Sequence, residues 1–249
     1  MVTSDEFLGG RLPDVKVGIG CAPESKFVET SVRVMDNPNV VIYSDPQKLA
    51  DDLSNGVIDA AVRGDMSSSK LLPLIKNALG VDDLQRAVLM DYRGRVFLMA
   101  PVGIDEGWTV EDKVQMAEKG AALMKDMGLP SQRIAVMSGG RSDDIGRNDV
   151  VDKTITDALE VVRQLNRKGY DAYHAQILIE DVVEDADIVI APDGIAGNLI
   201  FRVMHFIGNV TALGAPVLNG DKVFVDTSRV KTDFTDSIIL AMKLAGMRH

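Results

Sequence analysis

The stretch Asp185–Asn198, DADIVIAPDGIAGN, decides how the whole chain is read. Ile188–Ala191 is an apolar run with no polar alternation, the pattern of a strand buried on both faces. Pro192–Asp193–Gly194 ends it with turn chemistry, and a helix is expected over Ala196–Leu213. The later block VFVDTSRVKTDFTD (Val223–Asp236) repeats the arrangement. Strand Val223–Asp226 empties into the polar loop Thr227–Ser228–Arg229, and a helix is expected over Asp233–Ala245. Strand ends that deliver small polar residues beside a helix start are how a parallel α/β sheet holds an anionic ligand.

Working outward, short apolar runs alternate with longer periodic ones, which is the signature of βαβ units. Strands are expected at Lys16–Gly20, Val40–Tyr43 and Ile58–Val62, with helices at Ser25–Met35, Gln47–Leu53 and Lys70–Leu79. Ala87–Met90 and Val96–Ala100 flank the turn Asp91–Gly94 and read as a hairpin. Thr109 is an N-cap, with Asp112 three residues on, for a helix over Val110–Met127. A strand Arg133–Met137, a glycine-rich loop Ser138–Arg147, a helix Val150–Lys168 and short strands Gln176–Ile179 and Pro216–Leu218 complete the reading. Gly103–Trp108 and Asn219–Asp221 are the expected crossings between two lobes.

The chain has 249 residues, 46% of them hydrophobic, enough for one large or two small cores. No apolar run reaches the roughly 18 residues of a membrane span, and the acidic start MVTSDEFLGG lacks a secretory apolar segment. The expected location is cytoplasmic, with no membrane partner. A net charge of −10 and 5% aromatic residues argue against nucleic acid. The one cysteine, Cys21, excludes an internal disulfide and a cysteine-based zinc site. His174, His205 and His249 show no ligand spacing, so no metal is expected. His205 reads as a core histidine among Phe201, Met204 and Phe206.

Four strand-end loops are polar: Arg63–Ser69, Ser138–Arg147, Pro192–Asn198 and Thr227–Asp236. They supply Arg63, Arg141, Arg147 and Arg229 as planar forks suited to phosphate. Ser138, Gly139, Gly197, Asn198 and Thr227 add hydroxyls, an amide and accessible backbone N–H groups. Asp193 reads as a turn acceptor, a ligand contact or a catalytic acid. Gly18–Ile19–Gly20 resembles a dinucleotide fingerprint but lacks the third glycine, and Pro23 sits in its turn. No phosphate-binding P-loop and no nucleophile elbow are present.

The segments ADIVIAPDGIAGNLIFRV, VDTSRVKTDFTDSIILAMKLA, KGAALMKDMGLPSQRIAVMSGG and DAAVRGDMSSSKLLPLI resemble the phosphate acetyl/butyryl transferase superfamily. VRGDMSSS and SGGRSDDIGR are most similar to its methanogen branch of MtxX-type candidate methyltransferases. The resemblance implies a two-lobed, three-layer αβα fold with mostly parallel sheets, of the isocitrate dehydrogenase and phosphotransacetylase kind. It implies one lobe from 1–105 plus 222–249, the other from 106–221, a substrate cleft between them and a homodimer. The function implied is transfer of a methyl or acyl group from or to a small phosphate-bearing or carrier substrate, and the methanogen branch implies a role in methanogenesis. A coenzyme A-like or pterin-type carrier is the implied cofactor class. Ser228 and Arg229 match the superfamily's serine–arginine pair. Its downstream aspartate falls on either Asp236 or Asp233, one residue beyond and two short of the superfamily's spacing. Acyl transfer from an acyl phosphate to coenzyme A, and a non-catalytic anion-binding module, are the alternatives to methyl transfer.

Overall fold

The computed structural model describes residues 3–23 and 25–248; His249, one of the three histidines weighed above, lies outside them. In chain order the first elements are α1 (Ser4–Leu8), β1 (Val17–Gly20), α2 (Phe27–Met35), β2 (Val40–Tyr43), α3 (Pro46–Ser54), β3 (Ala60–Val62) and α4 (Ser68–Leu79). Then come β4 (Val88–Tyr92), β5 (Arg95–Ala100), α5 (Val110–Asp126), β6 (Arg133–Met137), α6 (Asp149–Arg167), β7 (Asp171–Gln176), α7 (Ile179–Asp185), β8 (Ile188–Ile190) and α8 (Gly194–Phe206). The last three are β9 (Thr211–Pro216), β10 (Val223–Asp226) and α9 (Thr235–Gly246). No helix among the described residues is long and apolar enough to cross a membrane.

The chain divides into two compact units. The terminal unit holds Asp5–Leu84 and the segment from Leu213 onward; the central unit holds Gln85–Ala212. In the terminal unit the strands run β2-β1-β3-β10-β9, parallel except for β9, which is antiparallel to β10. In the central unit the order is β4-β5-β8-β6-β7, with β4–β5 an antiparallel hairpin and the other neighbours parallel. Strands β1, β3, β8 and β10 are buried along their whole length, which explains their continuous apolar runs.

Local chemistry sets the helix starts. Asp45 accepts from the Gln47 N–H at 2.9 Å ahead of Pro46, and Thr109 and Asp112 exchange the two bonds of a capping box at 3.1 and 3.0 Å. Two expectations need correction. The helix after Asp193 ends at Phe206, because Gly208 and the left-handed Asn209 (φ 55°) turn the chain, and residues 211–216 form β9 against β10. The strand expected at Gln176–Ile179 is the end of β7: Gln176 is left-handed (φ 57°) and α7 starts at Ile179. The polar sequence DAYHAQ hides β7, which pairs only with β6 among the described strands.

Two glycine contacts hold the strand-end loops. Gly64 is left-handed (φ +62°), and a Cβ there would stand 1.8 Å from the Gly20 carbonyl oxygen. The second glycine of the Gly18–Ile19–Gly20 run therefore admits a neighbouring loop. In the central unit a Cβ on Gly194 or Gly197 would meet the carbonyl oxygens of Gly103 and Pro101 at 1.6 and 1.9 Å. Gly197→Ala must push the α8 start off the loop after β5, and a cost of about 3 kcal/mol is expected, the upper end of ordinary overpacking because the obstacle is backbone. Thermal unfolding checks this: the midpoint should fall by several degrees, and an unchanged midpoint would contradict the contact.

Candidate functional site

At the carboxyl edge of the terminal unit, β1, β3 and β10 are in register at Ile19, Val62 and Val225. The residues that follow, Gly20, Arg63 and Asp226, therefore lie side by side. Arg63 is buried: its Nε donates to the Asp226 carboxylate and its Nη1 to the Met66 carbonyl at 3.0 Å. Thr227 donates its hydroxyl to the Gly64 carbonyl at 2.6 Å and its N–H to Asp226 Oδ1 at 2.8 Å. The Ala22 N–H donates to Asp65 Oδ1 at 2.7 Å. Arg63 and Thr227, both read as anion donors, are thus drawn into a network that knits three loops together. Ser228 stands half-buried and Arg229 exposed at its rim, where the Lys231 N–H donates to the Ser228 carbonyl at 3.1 Å.

The two candidate aspartates have different environments. Asp233 Oδ1 accepts from the Thr235 N–H at 2.9 Å and the Ser31 hydroxyl at 3.3 Å, closing the start of α9. Burial pulls its carboxyl up, but these donors and Lys231 hold it below the usual range. Asp236 lies in the first turn of α9, where burial raises its carboxyl against the pull of Lys231. Lys231 donates to the Ser237 hydroxyl at 3.0 Å, and burial lowers its amine against the fields of Asp236 and Asp233. A carboxylate whose pKa is raised is, once ionised, a stronger proton acceptor than an ordinary aspartate. Asp233 is an end-cap.

The central unit gathers the other candidates. Ser138 is buried, and its hydroxyl lies 2.8 Å from both the Gly140 carbonyl and His174 Nε2. The hydroxyl has one proton, so with that proton on the carbonyl the imidazole donates from Nε2. Burial lowers the His174 pKa, in keeping with a neutral ring. Gly139 donates its N–H to Thr154 Oγ1 at 2.8 Å. Arg141 is exposed, and its N–H donates to Asp144 Oδ2 at 2.8 Å. Asp193 caps α8 by accepting from the Ala196 N–H at 2.8 Å, and Asn198 donates to the Val102 carbonyl at 2.9 Å. His205 is half-buried at the end of α8 rather than in the core, with Nδ1 2.8 Å from the Val210 carbonyl.

Sequence reasoning missed several buried charges. Glu106 accepts from the N–H groups of Arg86 at 2.9 Å and Gly103 at 3.2 Å, and from Arg86 Nε at 2.5 Å. Burial pushes its carboxyl up to about 7 against the Arg86 guanidinium. Lys113, buried in the first turn of α5, places Nζ 3.6 Å from Asp157 and feels Asp193; burial lowers its amine. The VEDK start of that helix reads as solvent-facing, so nothing in the sequence separates Lys113 from a surface lysine. Among the described residues no group of three or more metal-ligating side chains is present.

No family model matches the chain. Over 231 residues it is 43% identical to a candidate methyltransferase, mtx subunit X, of Methanosarcina barkeri, covering 92% of this chain and 83% of the relative. The chain belongs to the mtx subunit X family. A second relative, an uncharacterized methyltransferase of Methanocaldococcus jannaschii, is 36% identical over 220 residues, or 86% of this chain and 89% of that protein. Outside the mtx subunit X family the likeness thins: a phosphate acetyltransferase of Corynebacterium glutamicum is 26% identical over 215 residues. Among solved structures, a branched-chain phosphotransacylase of Enterococcus faecalis aligns with a TM-score of 0.70 at 16% identity, covering 94% of this chain and 99% of that one. An isocitrate dehydrogenase of Methylococcus capsulatus aligns at 0.52 and 10% identity, covering 92% and 83%. These likenesses show the fold, the α/β architecture of phosphotransacetylases and isocitrate dehydrogenases.

Two outcomes follow from the terminal-unit network. Asp226→Ala strands a buried guanidinium and should cost about 3–5 kcal/mol, measured by chemical denaturation; a loss under about 1 kcal/mol would contradict the buried pair. Lys231→Gln removes a positive field from Asp236, so the Asp236 carboxyl should titrate at higher pH still. Carbon-13 NMR of the side-chain carboxyl reads the shift, and an unmoved midpoint would show the two groups uncoupled.

Proposed function

We propose that this chain is a group transferase that moves a methyl group from a carrier-bound donor to a thiol, with Ser228, Arg229 and Asp236 acting on the substrates. The observation that carries the reading is the rim of the terminal unit. There an exposed guanidinium and a half-buried serine stand on a braced loop, in the same unit as a carboxylate held above its usual range. Asp236 takes the thiol proton, and the sulfur lone pair forms the new bond to the methyl carbon. The bond to the donor breaks with its electron pair going to the leaving group. Arg229 neutralises the anionic portion of the donor, and Ser228 orients it. In the central unit the exposed Arg141 serves as a further anion donor; the N–H groups of Ser138, Gly139 and Gly197 and the Asn198 amide bond within the chain and hold the loops around it, with Asp193 shaping the turn.

A coenzyme A-like or pterin-type carrier would bring the anionic groups that Arg229 suits, and when bound it supplies the group that is transferred. The same reading makes the protein a cytoplasmic homodimer serving methanogenesis. Acyl transfer from an acyl phosphate to coenzyme A is the second reading, favoured by the 26% likeness to a phosphate acetyltransferase. Purified protein given methyl donors with a thiol, or acetyl phosphate with coenzyme A, separates the two by which thiol product forms. Whichever reaction runs, Arg229→Ala should slow it by about 10²–10³-fold, and equal rates would overturn the assignment. Binding without turnover in any mixture would leave a non-catalytic anion-binding module.

The pH profile gives an independent check. Asp236 acts as base only when ionised, and its pKa lies above that of an ordinary aspartate. The rate should therefore rise with pH through a midpoint above the usual value of about 3.9. Asp236→Asn should remove that limb along with about 10²–10⁴-fold of the rate. A limb that persists in the variant assigns the base elsewhere.

A further inference from the structure

Helix α8 is the most apolar surface left open on the central unit. Its sequence, GIAGNLIFRVMHF, buries only Gly194 and Gly197. Ile195, Leu199, Val203, Phe206 and Ile207 remain exposed, from 38% at Phe206 to 76% at Ile207. Folding within one chain does not account for such a helix, because an apolar helix must be covered by something.

We infer that the exposed face of α8 is the surface on which a second copy of this chain docks. The inference rests on the homodimeric reading above and adds the surface that makes the dimer. Three observations select a second copy as the occupant. The first is symmetry. Ile195, Leu199, Val203 and Ile207 follow one another at intervals of four residues, forming a single i±4 ridge. A two-fold axis through the middle of that ridge pairs Ile195 of one copy with Ile207 of the other, and Leu199 with Val203. Ridges of this kind interdigitate when two helices cross at about −50°, so the row is its own complement.

The second observation is size. The five side chains expose roughly 500 Å² in all, and a homodimer interface of standard size needs about 800 Å² per partner, some 65% of it apolar. One α8 face thus supplies about the apolar area that one partner contributes. The third is charge. The chain carries −10, so two copies repel over most of their surface, yet Gly194–Gly208 contains no acid and carries Arg202 and His205. Arg202 places its guanidinium carbon over the Phe206 ring, 5.2 Å from the centroid, and the row of four itself carries no charge.

Because α8 starts at Asp193–Asn198, docking would hold the turn that carries the central-unit candidates. Sedimentation equilibrium of the full chain, wild type against Leu199→Glu and Val203→Asp, tests the proposal. Wild type is expected at twice the chain mass at micromolar concentration. The variants should weaken self-association at least 100-fold while still unfolding in one cooperative transition, with a midpoint lowered only to that of the wild-type monomer at high dilution, since both side chains are solvent-exposed in the monomer. A variant that does not fold is replaced by Ile207→Asp, at the end of the ridge. A wild type that is monomeric throughout overturns the homodimer and this surface together, as does a monomer that captures a different protein. A wild-type dimer that all the folded variants retain overturns the surface alone.

Discussion

Both units depend on backbone lying directly on backbone at the carboxyl ends of their strands. In the terminal unit the loop after β3 sits against the end of β1 at Gly64 and Gly20; in the central unit the start of α8 sits against the loop after β5 at Gly194 and Gly197. No side chain fits into these contacts. The constraint has an electrostatic consequence, because loops this close to the sheet carry charged groups out of solvent. Each unit answers with a buried pair bridging two segments, Arg63 with Asp226 and Arg86 with Glu106. Once those pairs form, the loops have few conformations left, and the groups at their rim are held by a rigid base.

This division of labour between buried and exposed charge organises the candidate chemistry. Arg63 serves the fold, whereas Arg229 and Arg141 stand in solvent and can meet an anion from outside. With an overall charge of −10, attraction of an anionic substrate must be local and short-ranged. The same logic separates Asp233 from Asp236. One has its oxygen engaged by the start of α9, while the other is left with a field from Lys231 and a burial penalty.

The fold class was legible because buried parallel strands write continuous apolar runs and their helices write the 3.6-residue period. Ile188–Ala191 and Val223–Asp226 were read to within a residue for that reason. β7 and β9 were misread for opposite reasons. β7 is paired on one side only and polar enough to look like loop, while α8 is so apolar that its pattern runs on through Gly208 into the strand beyond. Within the candidate site, the polar loops were visible as turn chemistry, but the direction each side chain takes was not. Arg63 and Arg229 follow strands in the same way, and only tertiary neighbours decide that one turns inward. Lys113 and Glu106 left no trace for the same reason: a charge flanked by other charges reads as solvated until the fold buries it. The GIG run shows the converse, a motif explained by a packing contact that lies 44 residues further along at Gly64 (64 − 20 = 44).

Cys21 sits where β1 ends, buried, with its thiol pushed up by burial and by the nearby Asp65 and Glu29 carboxylates. As the chain's one sulfhydryl, it is shielded from alkylating reagents while that strand end stays closed. Modification at this atom therefore reports transient opening of the terminal unit against an otherwise silent background. The rate at which it is trapped measures the free energy of that opening without any introduced label.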